Sequence, residues 1–107
     1  MSGSFDDRRK GFESKWAHDA DMQFKIMARR NKLLGLWAAE QMGKSGDAAA
    51  AYAKEVIAAD FEEPGDEDVF RKVRKDLAAT ITDHTIRHQM VELLDTAAEQ
   101  VLNEVKK

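Results

Sequence analysis

Few strings in this chain invite a chemical reading. Gly43-Lys44-Ser45 has the ending of a phosphate-binding loop, in which backbone amides and a lysine cradle phosphates. The full pattern needs another glycine five positions before Gly43, where this chain has Ala38, and a preceding strand, which the sequence does not offer. A helix-linking turn accounts for the string better. His84 and His88 stand four apart, a spacing that can present two imidazoles to a metal from one helix face. No HExxH context surrounds them, and a third ligand would have to come from Asp83, Glu92 or another helix, so no metal site is expected. The acidic run DFEEPGDED, residues 60–68, lacks the alternating ligands and central glycine of an EF-hand loop. Acids closing one helix and opening the next explain it. His18, beside Asp19 and Asp21, loses its proton near neutrality and could make docking of the N-terminal segment pH-dependent.

Two groups suit binding better than catalysis. Lys25, Arg29, Arg30 and Lys32 lie near the indole of Trp37, a set able to hold a phosphate and stack an adenine in a weak ADP or ATP site. The simpler reading makes Arg29, Arg30 and Lys32 a solvated face that pairs with acids on neighbouring helices. The second group is FDDRRKGFESKW, residues 5–16, where Phe5, Phe12 and Trp16 sit among seven charges. Against a partner's groove each ring could return about 1.5–3 kcal/mol before ordering costs. No carboxylate is marked as buried or paired with a base, and nothing resembles a nucleophile elbow or a Ser-His-Asp arrangement, so no enzyme is expected.

The elements that must position these residues follow from composition and spacing. The chain has 107 residues, 35% of them charged and 7% aromatic, with a net charge of −3. That composition favours helices over strands, and the acidic balance argues against a dedicated nucleic-acid partner. With no cysteine there is no disulfide or thiolate chemistry. No run approaches the roughly 20 apolar residues of a membrane span and no signal peptide is apparent, so a cytoplasmic protein without direct membrane insertion is expected.

Gly43 and Ser45, then Pro64 with Asp66, then Thr82 or Asp83 mark the helix boundaries. Between them, Tyr52, Ala53, Val56 and Ile57 form one apolar face. Val69, Phe70, Val73, Leu77 and Ile81 form a second, and Ile86, Met90, Leu93, Leu94, Ala97, Val101 and Val105 a third. Ile26, Leu33, Leu34, Leu36 and Trp37 supply a wide face on the first helix. Phe5, Phe12, Trp16, Ala20, Phe24 and Met27 continue one side of that helix upstream, at steps of three, four or seven. A single helix from residue 4 to residue 42 would be roughly 58 Å long. Gly11 costs it roughly 1 kcal/mol relative to alanine, and a short isolated segment is only marginally helical. The expected architecture is all-α: a small four-helix bundle over residues 19–107, with a long first helix, preceded by a flexible segment at residues 1–18 that folds on binding.

FDDRRKGFESKWAHDAD, ARRNKLLGLWAAEQMG and AYAKEVIAADFEEPGDEDVFRKVRKDL, in that order, resemble the zeta subunit of the alphaproteobacterial F-type ATP synthase. The likeness is strongest in residues 5–42 and 52–77, and after about Thr80 only general helical character remains. RRNKLLGLWAAE is an unusual string, which makes the resemblance specific. It implies a four-helix fold and a natural inhibitor of the catalytic head. The N-terminal segment would become helical and wedge between the alpha, beta and gamma subunits, blocking rotation in the hydrolysis direction as a pawl does. Localisation would be cytoplasmic and peripheral at the membrane through the ATP synthase, with no cofactor required. On that reading Phe5, Arg8, Arg9, Phe12 and Trp16 are the anchors, since aromatics and arginines dominate interfaces. Asp6, Asp7 and Glu13 would select complementary charge at the rim. Zeta sequences commonly have an acid near Arg9 and a phenylalanine near Trp16, so the extra positive charge here bears on inhibitory strength. The alternative is a helical ligand-binding regulator for adenine nucleotides, its N-terminal segment packed on its own core.

Overall fold

The computed structural model describes residues 20–60 and 66–106. They form four α-helices: α1 (Ala20–Gln41), α2 (Gly46–Ala59), α3 (Glu67–Asp76) and α4 (Asp83–Lys106). No strand occurs among the described residues. This is the all-α bundle expected from the spacing. Of the upstream continuation, Ala20, Phe24 and Met27 lie on α1, with Ala20 and Phe24 exposed and Met27 half-buried, while Phe5, Phe12, Trp16 and the whole of residues 1–18 lie outside the described residues.

The helix ends are set by local chemistry. At the end of α1, Gly43 takes φ +79°, a left-handed conformation that costs glycine nothing. Its amide donates to the Glu40 carbonyl at 3.0 Å, and the Lys44 amide donates to the Ala39 carbonyl at 2.8 Å. This is the Schellman closure, so the Gly-Lys-Ser string is a helix stop and not a phosphate cradle. At the start of α4, Thr82 is the cap, its hydroxyl accepting from the Thr85 amide at 3.1 Å. Pro64 lies outside the described residues, and the end of α3 differs from the expectation. Ile81 does not continue the face of the third helix, because α3 stops at Asp76 and Leu77 is extended. Arg74 explains the stop: its guanidinium donates to the carbonyls of Ala78 at 2.7 Å and Ile81 at 2.6 Å, and to the Asp83 carboxylate at 2.8 Å. Carbonyls that a longer helix would have used internally are held by that one side chain, which ties the α3–α4 turn together.

Packing divides the core in two. The larger cluster joins all four helices through Leu34, Ala38, Tyr52, Val56, Val69, Phe70, Val73, Leu77, Ile86 and Met90, among others, with Trp37 and Ile81 partly buried against it. The smaller one joins the first part of α1 to the last part of α4 through Met22, Ile26, Ala97 and Val101. Arg29 clasps the same pair of helices, donating to Gln100 at 2.8 Å and pairing with Glu104 at 2.6 Å. Where α1 crosses α2, Gly35 faces Ala53: a Cβ at position 35 would lie 2.6 Å from the Ala53 Cα. The helices can approach this closely only because position 35 has no side chain.

Candidate functional site

Between the two apolar clusters α1 carries polar residues inward. Arg30 and Asn31 are each 1% exposed. Burying a guanidinium is tolerable only when its donors are matched by acceptors. Here its Nε donates to the Asn31 side-chain oxygen at 2.8 Å, and one terminal nitrogen pairs with Asp66 at 2.8 Å. Asn31 in turn is hydrogen-bonded to the side chain of Asp60, the residue closing α2. Asp68, in the first turn of α3, is 4% exposed, and one of its carboxylate oxygens accepts from the Val69 amide at 2.8 Å. Asp66 stands at the cap position of α3, but its carboxylate makes no cap hydrogen bond and turns to Arg30 instead.

The electrostatics of this joint are uneven. Burial pushes the Asp60 carboxyl above its ordinary value. Repulsion from Asp68 and Asp66 acts in the same direction, and the Asn31 hydrogen bond and the Arg30 charge oppose it without cancelling it. Elsewhere the ion pairs are conventional. Tyr52 donates to Asp76 at 2.9 Å, and burial first, then that hydrogen bond, raise the phenol. Lys72 bridges Asp76 at 2.8 Å and Glu55 at 2.7 Å. Burial works against both charges, but the hydrogen bonds win: Asp76 lies below the carboxylate range and Lys72 above the ordinary lysine value. On the surface Arg87 holds both oxygens of Glu67 at 3.2 Å and stacks 3.9 Å over the Phe70 ring.

Of the residues proposed for a nucleotide, all five lie on α1, yet they fall on two faces. Lys25, Arg29 and Lys32 share one stripe at steps of four and three. Lys25 and Lys32 are exposed there, and Arg29 is engaged by Glu104. Arg30 and Trp37, seven apart, point to the buried side, Trp37 against the main core. The expected pairing of Arg29 and Arg30 with acids of other helices is present, but Arg30 is buried and not part of a solvated face. The signal in the sequence was the RRN string facing two acidic helix ends, and nothing local marked which arginine went inward.

His84 and His88 lie exposed on α4, their rings stacked 6.4 Å apart. Among the described residues no three metal-ligating side chains come together, and no helix is long and apolar enough to cross a membrane. The candidate anchors Phe5, Asp6, Asp7, Arg8, Arg9, Phe12 and Trp16 fall outside the described residues.

The class is therefore a small all-helical domain, stitched by internal ion pairs and preceded by a segment rich in aromatics and charges. The chain belongs to the family of ATPase inhibitor subunit zeta, which it matches over residues 1–100. That family is regulatory, not catalytic, and its description implies association with an ATP synthase. A solved solution NMR structure of a protein 54% identical in sequence has a similar fold, with a TM-score of 0.73, covering 78% of this chain and 98% of its own. A comparison with curated proteins gave no match.

Proposed function

We propose that this chain inhibits ATP hydrolysis by an F-type ATP synthase through residues 1–18, which fold into a helix and wedge at the alpha, beta and gamma interface of the catalytic head. The observation that carries this reading is the family match, which takes in the whole of residues 1–18 as well as the helical domain up to residue 100. Phe5, Arg8, Arg9, Phe12 and Trp16 serve as anchors, with Asp6 and Asp7 setting charge selectivity at the rim. The domain of residues 19–107 acts as the stop that limits entry. The protein is then cytoplasmic and reaches the membrane only through the enzyme.

Hydrolysis by the isolated catalytic head tests this, titrated with the full chain and with a chain lacking residues 1–18. The full chain is expected to suppress hydrolysis. The shortened chain should retain its helical circular dichroism and leave hydrolysis at the uninhibited rate. Equal inhibition by both would overturn the assignment to residues 1–18, and inhibition by neither would overturn the function.

A second reading, weak ADP or ATP binding, has the cationic stripe of Lys25, Arg29 and Lys32 in its favour. Arg30 would have to leave Asp66 to take part, so we assign the phosphate contacts to the exposed lysines, with Trp37 too far into the core to stack freely. Amide shifts confined to residues 25–37 on addition of ADP are the expected result; none at millimolar ligand would end this reading.

A further inference from the structure

We propose that His84 and His88 form a surface chelate on α4 for a divalent transition-metal cation of the class that favours imidazole, namely copper, nickel or zinc. The inference goes beyond the inhibitory reading and does not depend on it. It departs from the expectation drawn from spacing alone, which required a third ligand from the chain.

The placement of the two rings carries it. Ile86 and Met90 are buried in the main core and fix the inner face of α4. His84 and His88, four apart, therefore share an outer stripe, one turn above the other, and both are exposed. The turn that carries His84 is pinned. The Thr82 hydroxyl accepts from the Thr85 amide at 3.1 Å, and the Thr82 carbonyl accepts from the Ile86 amide at 3.1 Å. The two ring centroids lie 6.4 Å apart with their planes 24° from parallel. Among the described residues no hydrogen bond or ion pair engages either ring, so their nitrogens are available as ligands.

Zinc bonds an imidazole nitrogen at about 2.0–2.1 Å. A separation of 6.4 Å is the outer limit for two rings sharing one ion, so both must turn inward to close on it. Exposed side chains make such turns freely. No third metal-ligating side chain joins the pair among the described residues, which leaves the other coordination positions to water. The neighbouring charges are committed elsewhere. Asp83 pairs with Arg74 at 2.8 Å, and Arg87 is drawn toward α3 by Glu67 and the Phe70 ring. The positive end of α4 works against a cation, so the site is a modest one. Both ligands come from adjacent turns of one folded helix. The ion therefore binds the native chain better than the unfolded one and staples the first turns of α4.

Zinc sulfate titrated into the full chain at neutral pH, followed by NMR of the histidine rings, tests the chelate. The resonances of His84 and His88 should shift together with one midpoint. His84→Ala and His88→Ala should each weaken zinc binding at the remaining ring about tenfold or more, the loss expected when a second, tethered ligand is removed. Copper should bind the parent more tightly than zinc does. The thermal midpoint of the parent should rise with zinc, and that of either variant should stay where it was. Zinc shifts at only one of the two rings, or equal zinc affinity in the parent and both variants, would overturn the proposal. The ring titration needs only the parent chain, so it decides the matter even where a variant does not fold.

Discussion

Arg30→Ala is expected to lower the stability of the domain by about 3–5 kcal/mol, the range found when one partner of a buried ion pair is removed. Three effects add. The Asn31 side-chain oxygen, 1% exposed with its residue, loses its donor, and an orphaned buried acceptor costs about 1–3 kcal/mol. Asp66 loses its ion-pair partner and Asp60 loses the positive charge acting on it, while Asp68 stays buried. A large side chain disappears from a closed space and leaves a cavity. One effect works the other way: Asp66 is 44% exposed and can turn to water, which keeps the loss nearer the lower end. Thermal unfolding should fall by roughly 10–20 °C. Arg30→Lys is expected to recover only part of the loss, because an ammonium cannot serve Asn31 and Asp66 with the fixed fork of a guanidinium. A loss under about 1 kcal/mol would mean that the pair behaves as a surface salt bridge, and the buried joint would have to be abandoned.

Gly35→Ala separates two physical rules that give opposite signs. Helix propensity alone favours alanine over glycine in the interior of α1 by about 1 kcal/mol. The tertiary contact opposes it. The new methyl would sit 2.6 Å from the Ala53 Cα, 3.1 Å from the Ala53 Cβ and 3.3 Å from a Val56 methyl. The first of these is backbone, so α2 itself must move away from α1. Overpacking of this kind costs about 1–3 kcal/mol, and more when a whole helix shifts. We expect a net loss of about 1–2 kcal/mol, and a larger one for Gly35→Leu. Adding Ala53→Gly should rescue Gly35→Ala only partly, since the closest contact is with the Cα that remains. A Gly35→Ala variant more stable than its parent in urea would show that the helices do not meet here.

Much of the architecture could be read before any packing was known. The apolar steps of three and four placed Tyr52, Ala53, Val56, Val69, Phe70, Val73, Ile86, Met90, Ala97 and Val101 on inner faces, and all of them are buried. Gly43 and Thr82 declared their helix ends through local backbone and side-chain hydrogen bonding, which needs no distant partner. The family was legible in the strings around Phe12 and Leu34, and the match over residues 1–100 agrees with it. The joint was less legible. Asp60 and Asp66 read as ordinary helix-end acids and Arg30 as one cation among several, because burial of a long charged side chain depends on which acceptors arrive from elsewhere.

By itself, then, the sequence determined the elements: four amphipathic helices, their main stops and the family signature, all carried by residues within a few positions of one another. Tertiary structure alone decided three things. It chose Arg30 over Arg29 for the interior, through an acceptor 36 residues away. It made Gly35 a contact point, through the backbone of another helix. It ended α3 short of Ile81, through the reach of Arg74 across the following turn. The physical reason is common to all three. Periodicity tells a residue which way to face, but whether a charge, a missing side chain or a free carbonyl is satisfied there depends on a partner that only the folded chain brings within reach.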